Sequence, residues 1–461
     1  MRILWVKAGK LLPVDTGGKI RSYNLLRQLA ARHETVLLSY YGGARDADYE
    51  EEIARQLPGA VTVHTGAPDS GALAQGFDYL RRLPSSAPYA VTKFTSPKVR
   101  RLIREWDAAR RFDVAVCDFL SASLNFPRET QTPTVLFQHN VESALWQRQA
   151  RHAPDPLRSV AFKLEAAKML RYERAAVRRF QHVVAVSEND RELMSAMTDA
   201  SRITVVPTGV DIEKYSARAN DANGNGARAF EDENSGERKD EEGTNAEGRD
   251  EEGMNVERAN VGRASVEMTN DALVVFLGSM DWEPNIDGVE YFCRRIWPRV
   301  TAAFPSARFR IVGRNPNASV RRLASASVEV TGTVPSVVEH LREAAVVVVP
   351  LRVGGGTRLK IFEAMATGKA VVSTTIGAEG LDVSHGEDIL LADDAESFAD
   401  SVVALLRDTE RRKTLERAAS MLAARYDWSV ISRRFEDVLA RVAQVETSAR
   451  EAAPRPAPLG A

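Results

Sequence analysis

The stretch Val346–Val372, VVVVPLRVGGGTRLKIFEAMATGKAVV, decides how the chain folds. Four consecutive valines with no polar alternation read as a strand buried on both faces. Pro350 has no N–H to continue a ladder and ends it. Gly354, Gly355 and Gly356 form a loop without side chains. The next run, TRLKIFEAMATG, reads as a helix: Leu359, Phe362 and Ala366 share one face, Ile361 and Met365 a neighbouring one, and Gly368 stands at the C-terminal cap. KAVVSTT is then the following strand. A strand, a glycine loop, a helix and a second buried strand are the unit of a doubly wound α/β sheet.

The start of such a helix leaves backbone N–H groups unpaired at the positive end of the helix dipole, and phosphate is the natural ligand there. Arg358 and Lys360 add formal charge at the same mouth, where each charge-assisted hydrogen bond contributes about 1.5–3 kcal/mol. Glu363 lies one turn inside, and helical side chains lean towards the N-terminus, so its carboxylate can reach back. A carboxylate does not bind phosphate, but it accepts two hydrogen bonds from a ribose diol. Together these residues suit a nucleoside diphosphate. The competing reading is a merely tight loop with Glu363 paired to a core cation. A Walker loop is excluded, because no Gly-Lys-Ser/Thr follows the glycines.

Working outward, the same alternation covers most of the 461 residues. RILWV, TVLLSYY, VTVHT, DVAVCDF, TVLFQHN, HVVAVS and ITVVPTG read as strands in the first half; ALVVFLGSM, RFRIVGR, VEVTG, AAVVVVP, AVVSTT and DILLAD follow in the second. Helical patterns separate them, which predicts parallel sheets with right-handed crossovers in two doubly wound α/β halves. The expected division is an N-terminal domain over 1–215, a low-complexity linker or insert over 216–270, a C-terminal domain over 271–427, a helix over 428–446 and a disordered tail over 447–461. The insert contains the near-repeat DEEGTNAE and DEEGMNVE and almost no large apolar residues, so it cannot offset the entropy of ordering.

Composition excludes several classes. A net charge of −1 gives no global attraction to nucleic acid. Cys117 and Cys293 are the only cysteines and provide neither a metal site nor a disulfide framework, in keeping with a reducing cytosol. No apolar run approaches the roughly 18 residues of a membrane span, and MRILWVKAGK reads as a strand rather than a signal peptide. The acidic triplet Asp46–Asp48 sits in a charged surface loop and is read as a chance match to a metal motif; no metal is expected. The run LRSVAFKLEAAKMLRYERAAVRRFQH is a helix rich in Arg and Lys. It suits either a solvated face or a peripheral contact with an anionic membrane.

Near the start, PVDTGGKIRSYNLLRQLAARH repeats the phosphate-binding physics, with Gly17 and Gly18 opening a helix directly after the first strand. No G-x-G-x-x-G follows that strand, which argues against a dinucleotide dehydrogenase. His139 falls just past a strand end, where ligands of open α/β sheets sit. Asp118, Ser187 and Glu188 lie at or near other strand ends, and Glu142 is a candidate acceptor contact.

The segment VVPLRVGGGTRLKIFEAMATGKAVVSTTIGAEGL resembles the donor-binding signature of family-four retaining glycosyltransferases with the GT-B fold. The likeness extends through FLGSMDWEPNIDGVEYF, FRIVGRNP, VTGTVPSVVEHL and GEDILLADDAESFADSVVALL, and more weakly into the N-terminal half. It implies two Rossmann-like domains facing a central cleft, with a nucleotide-sugar donor held by the C-terminal half and a glycan or polyprenyl-linked acceptor by the N-terminal half. The last helix is expected to cross back onto the first domain. No separate cofactor and no nucleic acid are implied. The donor is expected to meet Gly17, Gly18, Gly278, Arg314, Val334, Gly355, Gly356, Thr357, Arg358, Leu359, Lys360 and Glu363, with His139, Arg358 and Lys360 acting in catalysis.

This chain departs from the signature at two places. Gly355 stands where the first of two glutamates is usual, and GSMDWEPN lacks the Arg and Lys common after the first strand of this domain. Arg358 and Lys360 are therefore expected to carry the diphosphate charge, with Arg314 and Arg352 as further candidates. The implied activity is retaining sugar transfer in bacterial polysaccharide biosynthesis, in the cytoplasm or at the inner face of the membrane. Two alternatives stay open: a nucleotide-sugar epimerase or hydrolase of the same fold, and a non-catalytic nucleotide-sugar-binding protein.

Overall fold

The computed structural model describes residues 1–66, 72–151, 156–216, 272–353 and 358–452. The low-complexity stretch 217–271 and the tail beyond 452 lie outside them. So do residues 354–357, and with them the expected donor contacts Gly355, Gly356 and Thr357.

Two parallel sheets organise the described residues. The first contains β1 (Arg2–Ala8), β2 (Glu34–Tyr41), β3 (Val61–His64), β4 (Val114–Asp118), β5 (Thr134–Phe137), β6 (His182–Ala185) and β7 (Ile203–Val205), in the order β3-β2-β1-β4-β5-β6-β7. The second contains β8 (Leu273–Leu277), β9 (Arg308–Val312), β10 (Val328–Gly332), β11 (Val346–Val349), β12 (Ala370–Ser373) and β13 (Leu390–Leu391), in the order β10-β9-β8-β11-β12-β13. Both orders reverse beside their first strand, between β1 and β4 and between β8 and β11. Such switch points leave a crevice at the carboxyl ends of the strands.

The apolar runs are what make these strands central. Val346 to Val349 are fully buried, as are Val274, Val275 and Phe276 on β8. In register, Val346 pairs with Val274 on one side and Ala370 on the other. Burying one such side chain contributes about 1.5–3 kcal/mol.

The chain crosses between the halves twice, at adjacent places. Val210 N–H donates to the Tyr426 carbonyl at 2.8 Å, and Trp428 N–H returns a bond to the Val210 carbonyl at 3.2 Å. Gly209 is required here, since a Cβ would stand 2.6 Å from the Trp428 ring. The helix Trp428–Ala452 then lies on the N-terminal half. Phe435 is buried against Trp5 and Phe137, with ring centroids 5.5 and 5.1 Å away, and Glu436 accepts from Arg32 at 2.9 Å. This helix runs past 446 to Ala452 because no Pro or Gly interrupts it before Pro454.

Candidate active site

A buried polar cluster stands at the first switch point. Asp118, the last residue of β4, is 1% exposed and accepts from three side chains. These are Trp5 Nε1 at 2.9 Å, Lys7 Nζ at 3.0 Å and, on the other oxygen, His139 Nε2 at 2.8 Å. Burial works to raise the Asp118 carboxyl, but the Lys7 charge and the His139 hydrogen bond hold it well below the usual range. Burial pushes His139 down to about 4, against the pull of Asp118, so its imidazole is neutral near pH 7. With Asp118 ionised, Nε2 carries the proton and Nδ1 is left as an acceptor.

Nδ1 of His139 is buried and has no hydrogen-bond partner among the described residues. It faces Gly18, where a Cβ would come within 3.4 Å. Gly17 begins the helix Gly17–Ala30, whose N-terminal residue Thr16 makes no side-chain cap. The two expected glycines and the expected histidine therefore meet in one place. Arg21, on the same helix, holds the His139 carbonyl at 3.2 Å. This corner lines a cavity of about 560 Å³, into which Trp282 of the C-terminal half also projects.

A second cavity of about 550 Å³ continues from Asn140, past the ends of β6 and β7, to Arg358 and the loop at Glu379. Arg358 is 2% exposed at the start of the helix Leu359–Ala366. Its guanidinium donates to the Ile376 carbonyl at 2.8 Å and lies 3.6 Å from Glu379. Lys360 leaves the helix towards β8. Its ammonium donates to Asn285 Oδ1 at 2.7 Å and sits 4.4 Å from the centre of the Phe276 ring. Burial first, then the charge of Arg358, lowers Lys360 to about 7. A Cβ at Gly278 would stand 2.6 Å from the Asn285 amide and 2.9 Å from the ammonium, so a side chain there would have to displace both. Lys360 thus brings a cation to the mouth of β8, the place where GSMDWEPN has none.

Glu363 is partly exposed, and its Oε1 accepts from the Tyr215 hydroxyl at 2.8 Å. Burial raises its carboxyl, while the Tyr215 bond and the charges of Lys214 and Lys360 oppose that rise. Arg314 is half-exposed beside this mouth and donates to Ser279 at 3.0 Å. Val334 packs against the core after β10, and Leu359 is the first residue of its helix. Arg352 is held in a two-pronged pair with Asp287 and lies over the Tyr291 ring, so it is engaged outside the site. Asp46 caps the helix Ala47–Gln56 and pairs with Lys10, a structural use for the acidic triplet. Among the described residues, no group of three His, Cys, Asp or Glu could hold a metal ion.

Lys7, Tyr215 and Asn285 are partners that sequence reading does not single out. Each lies far along the chain from the residue it serves. Only the position of Tyr215, just before the composition breaks, hints at a boundary role.

The glycosyltransferase family 4 model matches residues 16–214, and the glycosyl transferases group 1 model matches residues 271–408. An uncharacterised 44.6 kDa protein in the cps region of Klebsiella pneumoniae is 26% identical over 164 residues, 33% of this chain and 42% of that protein. The phosphatidyl-myo-inositol mannosyltransferase of Mycolicibacterium smegmatis is 31% identical over 166 residues, 34% of this chain and 42% of its own length. The matches thus span less than half of these relatives. The crystal structure of Anabaena HepE in complex with UDP and glucose shares the fold, with a TM-score of 0.60 at 14% identity over 95% of this chain and 99% of that one. Two family models side by side, one on each sheet, and a shared fold across both place the chain among the family 4, group 1 glycosyltransferases of the GT-B fold.

Proposed function

We propose that the protein is a retaining glycosyltransferase that moves a sugar from a nucleotide-diphospho sugar to a glycan or polyprenyl-linked acceptor. The observation that carries this reading is the neutral, buried His139 at the Gly17–Gly18 helix start, whose Nδ1 has no hydrogen-bond partner among the described residues, beside a second cavity that reaches Arg358. His139 Nδ1 would accept a hydrogen bond from a donor-sugar hydroxyl. As the bond from the sugar to the diphosphate breaks, negative charge builds on the departing oxygen. Lys360, Arg358 and the start of the helix Leu359–Ala366 would stabilise it, an electrostatic contribution fixed in place before reaction. A leaving phosphate oxygen would take the acceptor proton, and the configuration at the transferred carbon would be retained. No metal or further cofactor enters this scheme.

Similarity to a mannosyltransferase of phosphatidyl-myo-inositol and to a protein of a cps region supports a glycolipid or polysaccharide acceptor, met at the cytoplasmic face of a membrane. No helix among the described residues is long and apolar enough to cross a membrane. The N-terminal half nevertheless exposes Phe77 at 72%, Leu80 at 63% and Val160 at 64% on two helices joined by the Lys168 bond to the Leu83 carbonyl. Lys163 and Arg171 flank this patch along the second helix. Apolar side chains with neighbouring cations suit peripheral contact with anionic lipid.

The test is a donor panel, UDP-, GDP- and ADP-sugars, incubated with and without polyprenyl-phosphate-linked glycans. Sugar transfer only in the presence of acceptor supports the proposal. Donor turnover at full rate without acceptor supports an epimerase or hydrolase instead, and tight binding without product supports a binding protein.

A further inference from the structure

Tyr215 sits at the end of the N-terminal half, on the short helix Ile212–Ser216, yet its hydroxyl serves the C-terminal half. It is 6% exposed and donates to Glu363 Oε1 at 2.8 Å across 148 residues of sequence. Glu363 Oε2 has no hydrogen-bond partner among the described residues, and the side chain is partly exposed. One carboxylate oxygen is therefore fixed by a buried phenol, while the side chain as a whole keeps some exposure to solvent.

From this geometry we infer that Tyr215 is a positioning residue for nucleotide recognition: its hydroxyl fixes Oε1 of Glu363 and so orients the carboxylate for the ribose diol. The inference rests on the reading of Glu363 as the ribose acid. Burial raises the Glu363 carboxyl, and the Tyr215 hydrogen bond and the charges of Lys214 and Lys360 oppose that rise. Without the phenol, Oε1 would lose its partner while staying out of water. The carboxyl would then turn to find a new donor or take up a proton, and in either case it would no longer accept two hydroxyl bonds. Buried polar groups whose partners are removed are where discrimination between a hydroxyl and its absence is lost. Diphosphate contacts made by Lys360 and Arg358 do not pass through Tyr215, so the effect should be confined to the sugar of the nucleotide.

The experiment measures Kd by calorimetry for UDP, GDP and ADP, each beside its 2′,3′-dideoxy form, on the wild type, Tyr215→Phe and Glu363→Gln. The wild type should prefer the ribose form of its best nucleotide by tenfold or more. Tyr215→Phe should bind the dideoxy form as the wild type does, which also shows it is folded, while its ribose preference falls to about twofold or less. Glu363→Gln should lose the preference as well. If Tyr215→Phe keeps the full preference while Glu363→Gln loses it, or binds the ribose form more tightly, Tyr215 is not a positioning residue. A wild type without a ribose preference, or a Glu363→Gln that retains one, overturns the ribose reading itself and the inference with it.

Discussion

Asp118 ends β4 and His139 stands two residues past the end of the neighbouring β5, and their side chains meet at 2.8 Å with Asp118 almost wholly excluded from water. The bond fixes which ring nitrogen of His139 carries the proton, and so which one looks out towards Gly18. Lys7 and Trp5, both on β1, saturate the other Asp118 oxygen. Three adjacent strands of the first sheet thus set the chemistry of one imidazole.

Asp118→Asn should lower turnover by about 10–100-fold per folded molecule, the range usual when a group that orients a functional histidine is lost. An amide can donate to the imidazole as well as accept, so the tautomer is no longer fixed. Lys7 would also be left buried without its counter-charge, at a cost of about 3–5 kcal/mol. Rates must therefore be normalised to native protein by circular dichroism. Unchanged turnover would show that the tautomer does not matter.

Two buried histidines should make mild acid destabilising, against the opposite contribution of Glu142, whose carboxyl burial raises to about 7. His139 and His182 are both lowered to about 4 by burial. In the unfolded chain each takes up a proton near pH 6.5, while the folded protein refuses it until about pH 4. The histidine contribution is then full above pH 6.5 and declines as pH falls towards 4, by up to about 1.4 kcal/mol per pH unit for each histidine. Denaturant titrations at pH 7, 6 and 5 check this, and His139→Gln should reduce the slope by the share of one proton.

Nucleotide affinity should fall as pH rises above neutrality. Lys360 is lowered to about 7 in the free protein, and a bound diphosphate favours its charged form. UDP titrates at its terminal phosphate and at uracil N3, so the wild-type slope is read against that of Lys360→Met, and an extra drop of up to about tenfold per pH unit would report proton uptake by this lysine. Calorimetry on the wild type and Lys360→Met checks it: the variant should bind weakly and without the extra drop.

Phe435→Ala should cost about 3–5 kcal/mol, as large-to-small changes do at fully buried aromatic positions. It removes the ring that bridges Trp5 and Phe137, and Phe137 in turn lies 4.5 Å from the His139 ring. Chemical denaturation gives the stability. Loss of turnover in the native fraction would show that the last helix also supports the site.

Much of the fold was legible in the sequence, and the reason is the strands. Runs such as VVVV at Val346–Val349 and LVVF at the start of β8 have one stable use, burial between two helical layers. The handedness of crossovers then leaves few topologies. Helix starts at Gly17 and Leu359 were legible for the same local reason. Side-chain partners were not. Lys7 reaches Asp118 across 111 residues, and Lys360 reaches Asn285 across 75, and no local pattern encodes either pair. Arg358 and Lys360 look alike in the sequence because they stand two apart, but they leave the helix towards different walls. The resemblance of the glycine segment to a known signature was legible, whereas the place of the Lys360 ammonium beside Gly278 and Asn285 became so only in three dimensions.

The central claim is that the start of the helix Leu359–Ala366 grips a pyrophosphate while Glu363 holds the attached ribose. A crystal structure of the protein with UDP or GDP tests it most directly. The account predicts the diphosphate within hydrogen-bonding distance of Lys360 Nζ and the ribose hydroxyls on Glu363 Oε2. Nucleotide density elsewhere in the cleft, with Lys360 still bound only to Asn285 and Glu363 only to Tyr215, would contradict it.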